Sequence, residues 1–195
     1  DRAARDLFVE IAKAKATGAD ALLVVSRLND AILLTRELVK QRWTPEAILS
    51  MGPGWYEDQY FKTLGKLSDG PISFVPWYDP KKKLSQTLKD AMKKAYPDVN
   101  MNTNHVYTFE ALLVAADAYK RAGTGASKEL TEAVRTTNIT DNVSIGEGIR
   151  FDAKGQNDTV GDASIQNVGG ELVVVAPESA AVAKTVWPMP PYDKR

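Results

Sequence analysis

Residues 21–51, ALLVVSRLNDAILLTRELVKQRWTPEAILSM, decide the fold of this chain. The stretch contains two short continuous apolar runs, at 21–26 and 47–51, and such runs are typical of strands buried on both faces of a sheet. Between them, apolar residues at helical spacing predict a helix over residues 30–42. The order strand, helix, strand indicates a parallel sheet wrapped by helices.

Further helices and strands are predicted on both sides of this stretch. Apolar residues at helical spacing predict helices over residues 4–17, 57–67, 83–96, 105–122 and 127–136. The helix at 105–122 is expected to bury one face that carries Phe109, Leu112, Leu113 and Ala116, and Ser127 is suited to cap the last helix. Apolar runs predict strands over residues 72–77, 163–168 and 171–177. The fold class is therefore α/β, with parallel sheet flanked by helices.

A hairpin is predicted around the motif Phe-Asp-x-x-Gly, which lies within GIRFDAKGQND at residues 148–158. Ile149 and Phe151 alternate with polar neighbours, as the residues of a half-buried strand do. Asp152 is suited to hydrogen-bond its own backbone in the turn. Gly155 can adopt the positive φ that such a turn requires. The strand predicted at residues 163–168 would then follow as the second strand of the hairpin.

The composition excludes several classes of protein. The 195 residues include 25 Lys and Arg and 25 Asp and Glu, so the formal net charge is zero. The sequence therefore lacks the excess of positive charge that is typical of nucleic-acid-binding proteins. With no cysteine and one histidine, the sequence excludes a thiolate nucleophile, a disulfide framework and a multi-histidine metal site. The lysine run at 81–83 is interpreted as a solvated helix start.

The first candidate binding loop follows the strand predicted at 21–26. Its polar side chains are a hydroxyl, a guanidinium, an amide and a carboxylate, from Ser26, Arg27, Asn29 and Asp30. They lie at a helix start with free N–H groups, beyond the carboxyl end of a strand, where ligands of open parallel sheets bind. The alternative is that Asn29 or Asp30 caps the helix while Arg27 forms a surface ion pair.

The second candidate loop, residues 52–58, follows the next strand of the chain. Gly54 allows the backbone to approach a partner closely, and the rings of Trp55 and Tyr56 are suited to stacking on a ligand. The alternative for Trp55 is that its ring packs beneath the loop as part of the core. Because both loops follow adjacent strands, we expect them to form one ligand site.

No catalytic constellation is evident in the sequence. The nucleophile elbow, the glycine-rich phosphate loops and the H-E-x-x-H motif are all missing. His105, near a helix start, has no orienting partner in the sequence, so a capping or structural role is favoured over that of a general base. Tyr107, at the same helix start, is a candidate wall of a pocket. We predict a binding protein without catalytic residues, metal or cofactor.

Four segments resemble the type I periplasmic binding proteins, in particular the leucine/isoleucine/valine-binding branch that serves ABC transporters. They are ALLVVSRLNDAILLTRELVKQRW (21–43), ILSMGPGWYEDQYFKTLGKLSDGPIS (48–73), TFEALLVAADAYKRAG (108–123) and IRFDAKGQND (149–158). The segments follow one another in the order of that family and extend over almost the whole chain. This order is more specific than any one segment.

The resemblance implies the C-terminal half of a two-lobed protein, since family members are roughly twice as long. Residues 1–70 would then be part of lobe two, residues 71–162 part of lobe one, and residues 163–195 the return to lobe two and the C-terminal tail. On this interpretation the hairpin leads the chain through the hinge region. The resemblance also implies that the N-terminal half of the same protein would be a partner of this chain.

The resemblance also implies the function. Two lobes close over a small-molecule ligand and present it to the membrane permease of an ABC importer, in the periplasm or outside the cell on a membrane tether. In the family's amino-acid binders, an acid in the loop that matches residues 52–56 meets the ligand's ammonium group, but Gly54 and Trp55 stand there. Since Arg27 suits a carboxylate, we expect an organic acid, an aromatic acid or an amide-like solute, with an amino acid as the other candidate.

Two other functions are weighed against the importer. A ligand-sensing domain of the same fold, in a receptor or regulator, is the first alternative. The ending VWPMPPYDKR favours the importer, because it resembles a finishing tail and not a linker. An α/β enzyme such as a hydrolase is the second alternative. It would need a nucleophile with a base in reach, and the sequence assembles none.

Overall fold

The structure is a computed structural model that describes residues 5–195. The helices are α1 (Phe8–Ala16), α2 (Leu28–Lys40), α3 (Asp58–Leu64), α4 (Lys83–Ala95), α5 (Thr103–Ala122) and α6 (Ser127–Arg135). The strands are β1 (Ala21–Val24), β2 (Ala47–Ser50), β3 (Ile72–Pro76), β4 (Asn138–Ile139), β5 (Ile149–Arg150), β6 (Asp162–Val168) and β7 (Glu171–Ala176). The chain divides into two compact units, one up to Val75 with Ala163–Arg195, and the other Pro76–Asp162.

A five-stranded sheet with the order β1-β2-β3-β6-β7 forms the centre of the first unit. The pairs β1–β2 and β2–β3 are parallel, as the predicted strand–helix–strand order requires. The pair β6–β7 is antiparallel, because Gly169 and Gly170 both adopt positive φ and close a two-residue hairpin turn. The sheet is therefore mixed and mostly parallel.

The core of the first unit lies between one face of this sheet and helices α1 to α3. The apolar residues predicted to line α2 are buried there, namely Ala31, Leu34 and Leu38. They pack with Ile48 of β2 and Ile11 of α1. The periodicity of α2 is thus confirmed. The helix predicted over residues 4–17 is observed as α1, and its predicted first residue lies outside the described residues.

The prediction that the run at 21–26 is buried on both faces is wrong. Leu23 and Val25 are 82% and 80% exposed. The strand β1 lies at the edge of the sheet, and Leu22 and Val24 of the same run pack against the core. The continuous apolar run therefore has one covered face and one bare face in this structure.

The second unit contains helices α4, α5 and α6 and the antiparallel pair β4–β5. The turn predicted near its end is confirmed, but the strand at 163–168 that was expected to complete the hairpin pairs with β7 instead, and β5 pairs with β4. Phe151 pairs with Asn157, and the N–H of Asp152 donates to the Gln156 carbonyl over 2.9 Å. The Asp152 carboxylate accepts from the N–H of Gln156 over 2.8 Å, and Gly155 has a φ of 80°. The hydrogen bonds of Asp152 and the positive φ of Gly155 thus form the turn between Phe151 and Asn157.

A buried carboxylate, Glu110 on α5, holds the chain that follows α6. Its Oε1 accepts hydrogen bonds from the N–H groups of Val143 and Ser144, over 3.0 and 2.7 Å, and from the Asn142 side-chain amide over 3.2 Å. Sequence periodicity gave no sign of this role, since a Glu within a helix usually faces solvent. A buried polar group of this kind stays buried because its hydrogen bonds replace those to water.

Lys82 holds the same segment from the start of α4. Its Nζ donates to the Asn142 Oδ1 and to the carbonyls of Ser144 and Gly146 over 2.5, 2.7 and 2.8 Å. Burial lowers the pKa of Lys82, although the neighbouring carboxylates oppose the shift. The interpretation of the lysine run as wholly solvated is therefore wrong for Lys82.

We expect Glu110→Ala to lower the free energy of unfolding by about 2 kcal/mol, because buried N–H groups of Val143 and Ser144 would lose their acceptor. Glu110→Gln should cost less, since its amide oxygen can still accept. Urea unfolding followed by circular dichroism measures both. Glu132→Ala, on the exposed surface of α6, is the control. Equal losses for Glu110→Ala and the control would contradict the role.

Three further expectations concern the helices of this unit. The capping role of His105 is confirmed, because its Nδ1 accepts from the Asn102 N–H over 3.2 Å in a capping box. Ser127 was expected to cap α6, but that position belongs to Ala126. Leu112 and Ala116 were expected on the buried face of α5, but both are exposed.

Candidate functional site

The two candidate loops lie side by side at the carboxyl ends of β1 and β2. The Met51 N–H donates to the Val24 carbonyl over 3.2 Å, which continues the parallel pairing one residue beyond the strands. The Gly54 N–H then donates to the Ser26 carbonyl over 3.4 Å. The expectation that the two loops are neighbours is thus correct.

Two glycines allow this close approach of the loops. A Cβ on Gly52 would lie 2.1 Å from the Ser26 carbonyl oxygen, and a Cβ on Gly54 would lie 2.4 Å from the Arg27 carbonyl carbon. Both distances are far below van der Waals contact, and the atoms met belong to backbone. The partner that Gly54 approaches is therefore the first loop itself.

A surface cavity of about 610 Å³ opens where the two loops meet. It is lined by Arg27, Leu28, Asn29, Asp30, Pro53 and Glu57. Within the described residues, the side chains of Arg27, Asn29, Asp30 and Glu57 make no hydrogen bond or ion pair. The cavity thus presents one cation, one amide and two carboxylates that have no protein partner within residues 5–195.

The start of α2 gives this cavity its shape. The helix begins at Leu28 with Arg27 at its N-cap, so Asn29 and Asp30 lie inside the first turn. The alternative that Asn29 or Asp30 caps the helix is therefore wrong, and no side chain caps it. The free N–H groups and the helix dipole of this first turn favour a negatively charged group nearby.

Ser26 lies at the base of the first loop. Its Oγ is buried and has no hydrogen-bond partner among the described residues. A buried hydroxyl without a partner is uncommon in native proteins. Whether this hydroxyl contacts a solute stays a prediction.

Trp55 does not line the cavity. Its side chain is 0% exposed and belongs to the core, where its ring lies 5.4 Å from that of Tyr60, centre to centre. The Trp55 carbonyl accepts from the Asn167 side-chain amide over 2.8 Å, which fixes the loop to β6. The ring therefore packs beneath the loop as part of the core, which is the alternative that the sequence left open. The expectation that Trp55 forms an apolar wall of the site is wrong for this structure. Tyr56 is half-buried beside it.

Tyr107 belongs to the second unit, whereas the other seven candidate residues belong to the first. It is exposed on α5 and lines a cavity of about 350 Å³ together with Glu110, Phe151 and Asn157. A role of Tyr107 in the same ligand site as the first cavity stays a prediction.

Sequence reasoning gave Glu57 no place in the site, although its carboxylate lines the cavity. The signal was present, since Glu57 follows the aromatic pair in the second loop by one residue. The resemblance predicts the acid within residues 52–56, and Glu57 lies just beyond that range. A separate cavity of about 500 Å³ lies at the other end of α2, beside Arg42 and Tyr192, away from the strand carboxyl ends.

The described residues provide no group of three or more His, Cys, Asp or Glu side chains arranged to hold a metal ion. Within residues 5–195, no helix combines the length and apolar character needed to cross a bilayer.

The polar cavity lies beyond the carboxyl ends of parallel strands, which is where ligands of open α/β sheets bind. A sequence profile described as periplasmic binding protein matches residues 2–171, so the chain belongs to that family. The resemblance recognised in the sequence is confirmed. Membership implies an extracytoplasmic location, and the family is one of solute-binding proteins.

Known relatives agree with this assignment. The "Leu/Ile/Val-binding protein homolog 7" of Brucella abortus is 25% identical over 193 residues, which cover 89% of this chain and 45% of the relative. The chain therefore spans about half the length of the curated relatives it matches.

Solved structures establish the same fold. A leucine-binding protein of Thermotoga maritima superimposes with a TM-score of 0.74 at 18% identity, over 89% of this chain and 48% of that one. A fatty acid ABC transporter substrate-binding protein of Thermomonospora curvata gives 0.68 at 18% identity, over 95% and 50%. The predicted fold class, a partly represented type I periplasmic-binding-protein fold, is confirmed.

Proposed function

We propose that this chain is the C-terminal half of a solute-binding protein that serves an ABC importer. In this proposal the first unit is part of lobe two and the second unit part of lobe one, and the two lobes close over the solute about a hinge. The closed form then docks on a membrane permease, in the periplasm or on a membrane tether outside the cell. The observation that carries the proposal is the cavity with unpaired charges at the carboxyl ends of β1 and β2.

The charges of the cavity favour a solute that carries both a negative and a positive group. Arg27 suits a carboxylate, because its planar guanidinium can donate two parallel hydrogen bonds. Asp30 and Glu57 lie in the same cavity and would repel a purely anionic solute. A small amino acid meets both requirements, and it now takes precedence over the organic acid that the sequence favoured.

Closure is what would make these contacts strong. A charge that is removed from water must be paired, or its burial is costly. Opposite charges on the solute would satisfy Arg27 and the two carboxylates when the opposing lobe excludes water. The two solved structures named above, a leucine-binding protein and a fatty acid ABC transporter substrate-binding protein, support a solute with a carboxylate.

The proposal is tested on the full-length protein encoded by the gene. Mass spectrometry of solute released by denaturation identifies any ligand retained through purification. Calorimetry with L-leucine, 4-methylvalerate and isoamylamine then measures how much each charged group of the solute contributes to affinity. The second compound lacks the ammonium group, and the third lacks the carboxylate. We expect the amino acid to bind and both analogues to bind at least tenfold more weakly. Turnover of any solute, or no binding of a broad solute panel, would overturn the proposal.

We expect Arg27→Ala in the full-length protein to raise the Kd for the retained solute by about 10- to 100-fold, because a charge-assisted hydrogen bond is worth about 1.5–3 kcal/mol. Arg36→Ala is the matched control, since Arg36 is exposed on the same helix and does not line the cavity. Calorimetry measures both affinities, and thermal melting checks that folding is intact. Unchanged affinity in Arg27→Ala would remove the guanidinium from the site.

A further inference from the structure

Asn167, on β6, is an unusual residue for a buried position in a strand. It is 1% exposed, and Asn is depleted in strands because its side chain competes with the backbone for hydrogen bonds. The backbone of Asn167 is held on both sides. Its N–H donates to the Pro71 carbonyl over 3.1 Å, and its carbonyl accepts from the Gly70 N–H over 2.7 Å. The side chain therefore projects from a firmly held point of the sheet.

The side-chain amide of Asn167 donates twice, and both acceptors are backbone carbonyls outside β6. One is the Trp55 carbonyl, over 2.8 Å, and the other is the Ser68 carbonyl, over 3.1 Å. Neither an ionised aspartate nor a leucine of similar size could serve these carbonyls, because neither has a hydrogen to donate. The two carbonyls that it holds thus explain the residue type.

The Trp55 carbonyl belongs to the second loop, two residues before Glu57, whose carboxylate lines the solute cavity. The same loop is attached to the first loop through the Gly54 N–H, which donates to the Ser26 carbonyl over 3.4 Å. That distance is long for an N–H···O hydrogen bond, so the bond from Asn167 is the stronger of these two anchors. Asn167 therefore fixes the stretch of chain from which Glu57 projects.

We propose that Asn167 is a positioning residue of the solute site and sets its preference for a solute with an ammonium group. The hydrogen bond to the Trp55 carbonyl keeps the Glu57 carboxylate at the cavity. Arg27, which would bind the carboxylate of the solute, is held by α2 instead, since its carbonyl accepts from the Ala31 N–H over 2.9 Å. Loss of Asn167 should therefore weaken recognition of the ammonium group and spare recognition of the carboxylate. This inference rests on the proposed function.

Gln166, the preceding residue of β6, provides a matched control. It is also 1% exposed, and its amide donates to the carbonyls of Gly70 and Val186, each over 3.0 Å. Both of these carbonyls lie outside the second loop. Asn167→Ala and Gln166→Ala thus remove a buried amide with two backbone acceptors from the same strand, and they differ in the segments that they release.

Hydrogen exchange of the solute-free, full-length protein tests the positioning itself. We expect the amides of residues 54–58 to exchange at least about tenfold faster in Asn167→Ala than in the wild type, and at the wild-type rate in Gln166→Ala. Should Asn167→Ala fail to fold, Asn167→Ser is measured in its place and should show the same pattern with a smaller increase. Equal exchange of this loop in the Asn167 and Gln166 variants would overturn the proposal, whatever the solute is.

Calorimetry with L-leucine and 4-methylvalerate then tests the selectivity. We expect Asn167→Ala to bind L-leucine at least about fivefold more weakly, to bind 4-methylvalerate within about twofold of the wild type, and Gln166→Ala to match the wild type for both. An equal loss for the two solutes would overturn the role of Asn167 in ammonium recognition. A wild-type protein without preference for L-leucine would contradict the proposed function and the selectivity with it, whereas the exchange measurement would still decide whether Asn167 holds the loop.

Discussion

Replacing Trp55 by alanine should lower the free energy of unfolding by about 3–5 kcal/mol, the usual cost of removing a buried aromatic side chain. The ring is fully buried and packs against Tyr60 and the apolar residues of α2. Its removal leaves a cavity in the core of the first unit that the rigid sheet cannot fill. Urea unfolding followed by circular dichroism measures the loss.

Trp187→Ala is the matched control for this experiment, since it deletes the same side chain at a position that is 56% exposed. We expect the control to lose less than about 1 kcal/mol, as surface substitutions usually do. A small loss for both variants, together with weaker solute binding in Trp55→Ala alone, would place the ring in the ligand site after all.

Trp55 also illustrates where sequence reasoning reaches its limit. Periodicity predicted α2 correctly because its apolar residues face a single core, and the repeat of 3.6 residues records that directly. The strand β2 was predicted from a continuous apolar run instead. The loop at 52–58 has no such period. The direction of its aromatic rings depends on a short 3₁₀ turn, Pro53–Trp55, and on the first loop against which it packs.

The site itself was predicted in part. The adjacency of the two loops follows from parallel pairing, which the strand–helix–strand order already required. The sequence did not reveal that Arg27, Asp30 and Glu57 lie around one cavity, because their separation along the chain carries no information about distance. The exposure of Leu23 and Val25 was equally hidden, since a continuous apolar run indicates two apolar faces without indicating what covers them.

The second large effect is expected for Gly54→Ala, which should lower the free energy of unfolding by at least about 3 kcal/mol, at the upper end of the cost of overpacking. The added methyl group would lie 2.4 Å from the Arg27 carbonyl carbon, so one of the two loops has to move. A flexible side chain could move aside cheaply, but here the obstacle is backbone at the start of α2. The displacement also carries Arg27 away from its place in the cavity, so solute affinity of the full-length protein should fall by about as much as in Arg27→Ala.

Gly125→Ala is the control that separates the clash from the loss of a glycine as such. A Cβ at Gly125 meets no atom within 4 Å, so the same substitution there should change the free energy of unfolding by less than about 1 kcal/mol. Chemical unfolding of both variants and calorimetry of the full-length forms give the two readouts. A Gly54→Ala protein that is as stable as the Gly125→Ala protein and binds solute normally would mean that the loops are not in contact. The cavity would then lose its structural basis, because Gly54 is where the loop that carries Glu57 packs on the backbone of Arg27.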